Sequence, residues 1–182
     1  MAKIAVEPLN KEEMDSILDS AISNDYYYLL FFLAKTTGRR LGELYDIQIR
    51  DINLSKGFIL TKIEKLKRRA SKEAILTNEA LISLKQYISR NNLQLDDYLF
   101  KRVSMRAIQY AIKRYAKLAG IKKNVVFHNF RHYFITELVR KGWSYNQIRT
   151  LTGHTNIATL LHYDSVTPMD LAVKVREDVR NI

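Results

Sequence analysis

The spacing of apolar residues predicts helices in the first part of the chain. Asn10 and Glu13 form a capping pair, and the apolar residues after them recur every three or four positions, which is the period of a helix. Residues 26–35 are apolar on nearly all sides and are therefore predicted to form a buried helix. Residues 36–38 interrupt this pattern, and a short helix is predicted over residues 41–47.

A change of pattern between residues 51 and 76 predicts a small β-hairpin. Residues 58–63 and 73–76 favour strands, and the basic stretch between them predicts a long charged turn. Helical spacing returns at residues 78–90, 104–119, 128–141, 144–151 and 156–163, and from residue 167 to about residue 180. The pattern predicts a mainly helical α+β domain with one small antiparallel sheet.

Charge is the compositional feature that adds most to this picture. The chain has 182 residues, of which 30 are Lys or Arg and 19 are Asp or Glu, so its net charge is +11 at pH 7. Such a surplus favours a polyanionic partner, and a nucleic acid fits best. The basic residues form two groups with Glu64 as the single acid: Lys62, Lys65, Lys67, Arg68, Arg69 and Lys72, then Lys101, Arg102, Arg106, Lys113, Arg114, Lys117, Lys122 and Lys123.

Other classes of protein are disfavoured by what the composition lacks. The chain has no cysteine, so it can form neither a disulfide framework nor a thiolate metal site. Its longest apolar run, residues 26–34, is too short to cross a bilayer, and no signal-peptide pattern opens the sequence. We therefore expect a cytoplasmic protein with no membrane partner.

Three short segments, and their order along the chain, are informative. Residues 37–44 read TGRRLGEL, residues 128–132 read HNFRH, and Gly153-His154 is followed nine residues later by Tyr163. An arginine can bind two phosphate oxygens with a guanidinium group that keeps its proton. Fixed cations of this kind stabilise the charge that builds up on a phosphate under in-line attack.

In order and internal spacing, these segments resemble the signature boxes of the tyrosine recombinases, the phage integrase family. Those boxes read T-G-x-R-x-x-E-L, H-x-x-R-H and L-G-H, with a tyrosine nine positions after the last histidine. The resemblance covers about residues 10–166 and implies that this range is a recombinase catalytic domain. It implies site-specific cleavage and rejoining of DNA through a covalent 3′-phosphotyrosyl intermediate, with no metal, ATP or other cofactor.

The resemblance also implies a role for individual residues. Arg40 and Arg131 match the two arginines that clamp the phosphate, and Tyr163 matches the nucleophile. His128 and His154 match the two histidines that assist proton transfer and donate hydrogen bonds to the phosphate. Because a phenol has a pKa near 10, its attack as a phenolate requires cationic surroundings.

Further residues are expected to support the reaction or to bind DNA. In the family, a lysine in the turn between two strands protonates the leaving 5′ oxygen; Lys67 matches it, and Lys65 is the alternative. Glu43 matches the acidic position of the first box and is expected to support a catalytic arginine or histidine through a buried pair, whereas Arg39 is expected to be solvated. The expected DNA contacts are Lys65, Arg68, Arg69, Lys72, Arg106 and Lys113.

The resemblance implies double-stranded DNA as a partner. It also implies that copies of the chain assemble on this DNA as a homotetramer. Residues 1–9 are expected to be a lead-in, and residues 167–182 a C-terminal helix that either docks on a neighbouring protomer or folds back on its own domain. Most family members carry an N-terminal domain that holds the other face of the DNA. The chain is therefore expected to be either a catalytic-domain fragment or a short member of the family.

Three alternatives explain less of the sequence. His128 and His132 have the spacing of two zinc ligands, but the segment lacks the glutamate base of the zinc peptidases. A non-catalytic helix-turn-helix over residues 144–163 would explain the basic charge but not the boxes. Type IB topoisomerases share the chemistry but usually have a lysine where His128 stands. The target sequence, and whether the event is integration, excision, inversion or dimer resolution, stay open.

Overall fold

A computed structural model of the chain describes residues 7–62 and 71–153 and shows a mainly helical fold. The elements are α1 Lys11–Ala21, α2 Asp25–Thr37, α3 Leu41–Tyr45, β1 Ile52–Asn53, β2 Phe58–Lys62, β3 Ser71–Ile75, α4 Asn78–Arg90, α5 Met105–Leu118, α6 His128–Arg140 and α7 Tyr145–Thr152. The chain divides into two compact units, residues 1–134 and residues 135–182. The predicted α+β class with one small antiparallel sheet is confirmed.

Polar caps begin the helices where the sequence predicts them. The Asn10 side chain accepts a hydrogen bond from the Glu13 backbone N–H at 2.8 Å, and the Glu13 carboxylate accepts one from the Asn10 backbone N–H at 2.9 Å. Thr77 caps α4 and Ser104 caps α5 by accepting the same kind of bond. Each cap satisfies a backbone donor that the helix leaves without a partner, which is worth about 1 kcal/mol.

The sheet has three antiparallel strands in the order β1-β2-β3. Strand β2 pairs with β3 in a register that sets Ile59 opposite Ala74, and Lys62 opposite Ser71. The predicted hairpin is therefore confirmed, with ends that differ from the prediction by one or two residues. Strand β1 was not predicted, because two residues are too few to show an alternating pattern. Residues 63–70, which connect β2 to β3, lie outside the described residues.

Helix α2 lies at the centre of the first unit, where it packs against α1, α3 and α4. Leu30, Phe31 and Leu33 are fully buried, which confirms the predicted buried helix. The Phe31 ring stacks on the ring of Phe130 with centroids 5.4 Å apart. Aromatic pairs of this kind add about 1 kcal/mol beyond the burial of their surface. The stack joins α2 to the start of α6, and so brings two of the three sequence boxes together.

The described part of the second unit is the end of α6, a turn and helix α7. Ser144 begins α7 with a capping box, in which Gln147 is the reciprocal partner. Ile148 and Thr152 are buried, and the Thr152 hydroxyl donates to the Ile148 carbonyl at 2.6 Å. The predicted helices over residues 156–163 and 167–180 lie outside the described residues. Among the helices that are described, none has both the length and the apolar character that a membrane span needs.

Replacing Gly38 by alanine is expected to lower the free energy of unfolding by about 2–4 kcal/mol. Gly38 ends α2 with φ +62°, a left-handed conformation that penalises every L side chain, and a methyl group there would overlap the Phe134 ring. Denaturant unfolding of the variant measures this loss.

Gly120→Ala is the matched control for this prediction. Gly120 also has a positive φ, +73°, but a methyl group there would meet no atom within 4 Å. Only the backbone penalty of about 1 kcal/mol should therefore apply. Equal losses for the two variants would contradict the proposed overlap with Phe134.

Candidate active site

The first box forms a turn between α2 and α3 in which Glu43 holds Arg40. Arg40 is the N-cap residue of α3, and its guanidinium donates to Glu43 Oε1 at 2.9 Å. The other carboxylate oxygen, Oε2, accepts from the Arg40 backbone N–H at 3.0 Å. Glu43 is only 4% exposed, so the carboxylate is itself fixed. The buried Glu43 carboxylate is therefore paired with an arginine, Arg40, whose side chain is itself partly exposed.

Arg131 connects helix α6 to the same box. Its side chain is 1% exposed, and its Nη1 donates to the Gly38 carbonyl at 2.9 Å. Asn129 fixes the start of α6 from both sides, because it accepts from the Val126 backbone N–H and donates to the Glu7 carbonyl, each at 2.8 Å. Arg131 is thus part of the packed interior and not a solvated surface residue.

A cavity of about 850 Å³ lies between the first box, the start of α6 and helix α5. The described residues that line it include four arginines and one lysine, but no Asp or Glu: Arg39, Arg40, Leu41, Gly42, Met105, Arg106, Gln109, Tyr110, Lys113, Val126, Phe127, His128 and Arg131. A concave site with this charge is suited to an anion that carries several oxygens. The cavity brings together Arg40, His128 and Arg131, three of the predicted catalytic residues.

His128 lies at this cavity next to His132. The two rings meet edge to face with centroids 4.7 Å apart. The His128 side chain is exposed, yet desolvation lowers its pKa to about 4, with the charges of His132, Arg131 and Arg40 as further causes. Desolvation and then the Arg131 charge also lower the pKa of His132. His128 is therefore neutral at pH 7, so one ring nitrogen can accept a proton while the other donates a hydrogen bond.

Arg39 corrects an expectation from the sequence. We expected a solvated arginine, but its side chain is 2% exposed and its Nη2 donates to the Glu73 carbonyl in β3 at 2.6 Å. Burial lowers the pKa of Arg39, the Glu43 charge raises it and the Arg40 charge lowers it. An arginine keeps its proton even when buried, so Arg39 adds a positive charge to the site. One signal in the sequence could have indicated that Arg39 belongs to the site: it lies inside the first box, between residues that were assigned to the site.

One exposed face of helix α5 borders the cavity. Arg106 and Lys113 are exposed and line the cavity, as do Gln109 and Tyr110, which sequence reasoning missed. Arg106 donates to the Tyr110 hydroxyl at 3.3 Å. The three- and four-residue steps from Arg106 could have identified both missed residues, because such steps place side chains on one face.

The remaining predicted site residues do not add to the described cavity. Lys72 is half-buried on β3 and is not among the residues that line it. The predicted residues Lys65, Lys67, Arg68, Arg69, His154 and Tyr163 lie outside the described residues. Within residues 7–62 and 71–153, no group of three or more His, Cys, Asp or Glu side chains is placed to hold a metal ion.

Comparison with known proteins identifies the class of protein that this fold and cavity define. The chain belongs to the phage integrase family, which it matches over residues 7–169. That match includes all three sequence boxes, and it confirms the family that the boxes indicate.

Its relatives are named tyrosine recombinases. The chain is 29% identical over 154 residues to a tyrosine recombinase of Pseudothermotoga lettingae, covering 83% of this chain and 53% of the relative. It is also 29% identical over 181 residues to the tyrosine recombinase XerA of Pyrococcus furiosus, covering 93% of this chain and 60% of the relative. The chain thus spans between half and two thirds of the length of these relatives.

Solved structures show the same fold. A crystal structure of XerA recombinase matches with a TM-score of 0.79 and 27% identity, over 94% of this chain and 65% of that chain. A structure of the XerH recombinase bound to a palindromic difH substrate matches with a TM-score of 0.78, over 94% of this chain and 54% of that chain. Its identity of 23% makes the second match a likeness of fold alone.

The lowered pKa of His128 predicts a loss of stability in mild acid. The unfolded chain binds a proton at this histidine near pH 6.5, whereas the folded chain binds it only near pH 4. Between these values the unfolded state holds more protons, so the free energy of unfolding falls as the pH is lowered through this window.

His128→Gln tests this dependence because glutamine keeps polar atoms but does not titrate. The free energy of unfolding, measured with a denaturant at several values between pH 7 and pH 4, should fall less steeply in the variant than in the wild type. The same slope in both proteins would mean that His128 titrates normally in the folded chain.

Proposed function

We propose that the chain is the catalytic domain of a site-specific tyrosine recombinase, which cleaves and rejoins DNA through a covalent bond to Tyr163. One observation supports this most strongly: Arg40, His128 and Arg131 line one cavity that is rich in cations and whose described lining holds no acid. These residues belong to two boxes that are far apart in the sequence. A phosphodiester is the substrate that such a cavity would stabilise best.

The reaction we propose begins with attack of the Tyr163 phenolate oxygen on the scissile phosphorus. The phenol proton passes to a base of the site, a role that the family resemblance gives to His128, which is neutral at pH 7. Arg40 and Arg131 stabilise the added negative charge on the non-bridging oxygens of the five-coordinate phosphorus. The P–O5′ bond then breaks, leaving a 3′-phosphotyrosyl bond on one side and a free 5′ end on the other.

The leaving O5′ takes the electron pair of the broken bond and needs a proton. We propose that Lys67 or Lys65 supplies it, and that His154 donates a hydrogen bond to the phosphate. Attack by a 5′ hydroxyl on the phosphotyrosyl bond reverses these steps and rejoins a strand. Because the phosphotyrosyl bond conserves the energy of the diester, the cycle requires no ATP, and the arginines take the part that a metal ion has in other phosphoryl transfers.

DNA is the partner that the charge distribution supports. The exposed face of α5 presents Arg106 and Lys113 beside the cavity, where they could contact phosphates next to the scissile one. Neutralising DNA phosphates releases counterions, so the affinity should fall steeply as salt is added. The same role is proposed for Lys65, Arg68, Arg69 and Lys72.

Assembly on DNA is proposed by analogy with the structural relatives. One is a lambda integrase dimer bound to a core site, and another is a lambda integrase tetramer bound to a Holliday junction. We infer that this chain forms a homotetramer on paired DNA sites, with residues 167–182 as the candidate contact between protomers. Residues 1–9 would then be the lead-in to the catalytic domain over residues 10–166.

A non-catalytic DNA-binding module is the weaker hypothesis. It would account for the basic face of α5 but not for the pairing of Arg40 with the buried Glu43, nor for Arg131 held at the Gly38 carbonyl. Binding along the DNA backbone needs only exposed cations, and would not require arginines that other groups hold in place at the wall of a cavity. The names of the relatives, which are recombinases, also favour the catalytic hypothesis.

Tyr163→Phe is expected to abolish the covalent adduct with DNA and to leave DNA binding nearly unchanged, because only the hydroxyl is lost. The substrate is a pool of nicked duplexes with a randomised centre, so that the target sequence need not be known beforehand. The reaction contains a chelator and no ATP, and a denaturing gel shows the adduct.

Tyr110→Phe is the matched control, since Tyr110 lines the described cavity and is 60% exposed. The adduct should persist in this variant. An adduct that forms in the Tyr163 variant but not in the Tyr110 variant would assign the nucleophile to Tyr110. No adduct with the unchanged protein would contradict the proposed activity.

A further inference from the structure

Arg39 is a buried cation that the proposed mechanism does not use. Within the described part of the chain it forms no ion pair, and the nearby Glu43 carboxylate pairs with Arg40 instead. Its Nε is also buried without a hydrogen-bond partner there. Burying a charge under such conditions is costly, so the position is an unfavourable one for an arginine that serves stability alone.

The contact that Arg39 does make is with the edge of the sheet. Strand β3 pairs with β2 on one side, and no strand among the described residues pairs with its other side. The Arg39 Nη2 donates to the carbonyl of Glu73, in the middle of β3, at 2.6 Å. A hydrogen bond from a charged donor is stronger than a neutral one, particularly where water is excluded. Arg39 therefore fixes the middle of β3 to the first box.

The same side chain also lines the cavity with Arg40, His128 and Arg131. Arg39 is thus a direct link between the residues that would bind the phosphate and the hairpin of β2 and β3. The chain that joins these two strands, residues 63–70, carries both candidates for the proton donor, Lys65 and Lys67. The position of β3 relative to the cavity limits where that donor can act.

We propose that Arg39 is a positioning residue, which fixes strand β3 against the phosphate cavity and thereby limits where a proton donor in the connection that precedes β3 can act. This inference depends on the proposed recombinase function. A direct role on the phosphate fits the geometry less well, because Nη2 is occupied by the Glu73 carbonyl and Nε is enclosed. Arg39 would then affect departure of the 5′ oxygen more than stabilisation of charge on the phosphorus.

The chemistry of the leaving group separates these two roles. When the P–O5′ bond breaks, the oxygen leaves with the electron pair and must be protonated. If sulfur replaces that bridging oxygen, the P–S bond breaks and the sulfur leaves as a thiolate. A thiol has a pKa near 8.5, so the thiolate needs little help from an acid. A defect in the placement of the proton donor should therefore disappear with the sulfur substrate.

The experiment compares cleavage rates of the full chain and its Arg39→Met and Arg40→Met variants. The substrates are one selected duplex with either oxygen or sulfur at the bridging 5′ position. Arg39→Met should slow cleavage of the oxygen substrate by about 10²-fold, the loss expected for small misplacement of a catalytic group. Its rate on the sulfur substrate should be close to that of the wild type, whereas Arg40→Met should be slow on both.

Two outcomes of the rate comparison would overturn the proposal. An equal loss on both substrates for Arg39→Met would make Arg39 a ligand of the phosphate. No loss on either substrate would leave it without a role in the reaction. If Arg39→Met does not fold, Arg39→Lys, which keeps the charge but loses the planar fork, is measured in the same way with the same criteria.

A second measurement tests the anchor without any cleavage. Amide hydrogen exchange in β3, residues 71–75, should be faster in the Arg39 variant than in the wild type, and unchanged in Arg40→Met. Unchanged exchange in the Arg39 variant would contradict the anchoring role. Failure of the wild type to cleave DNA, together with faster exchange in the Arg39 variant, would refute the recombinase function while supporting the anchor.

Discussion

The hydrogen bond from Arg131 to the Gly38 carbonyl joins two parts of the chain that are 93 residues apart, and the candidate site depends on it. Gly38 ends α2 in a left-handed conformation, and its carbonyl is the acceptor of this bond. Because Arg131 is fully enclosed, its guanidinium cannot move without disturbing the packing of α2 and α6 around the Phe31–Phe130 stack. Packing in the core thereby fixes a cation at the cavity.

Electrostatics explains why such an arrangement is suited to phosphate chemistry. Arg39, Arg40 and Arg131 line one cavity whose described lining holds no Asp or Glu, so its described wall carries a net positive charge. Placing these cations costs free energy on folding, and an anionic substrate would offset that cost. Because the groups are held before the substrate arrives, little reorganisation is needed when charge develops on the phosphate. The low pKa of His128 also depends on cations of this site, because desolvation and these charges both favour the neutral form of its ring.

Local features of the sequence predicted most of the fold, and three of the six predicted catalytic residues line the described cavity. Asn10 and Glu13 specify the start of α1, and an apolar run specifies α2. Both patterns lie within neighbouring residues, so they could be interpreted directly from the sequence. Arg40, Glu43 and Arg131 were found because their boxes keep a fixed spacing. Burial of Arg39 depends on the Glu73 carbonyl, which is 34 residues away, and no local pattern reports such a contact.

The central claim is that Arg40 and its neighbours stabilise charge on the non-bridging oxygens of a DNA phosphate. The most direct test measures cleavage by the wild type and by Arg40→Ala on a normal duplex and on one with a methylphosphonate at the scissile position. In the methylphosphonate a methyl group replaces one of these oxygens, so the group is neutral. Arg40→Ala should slow cleavage of the phosphate by about 10²-fold or more, and should slow cleavage of the methylphosphonate far less. The same loss on both substrates would show that Arg40 does not act on that charge, and would contradict the account.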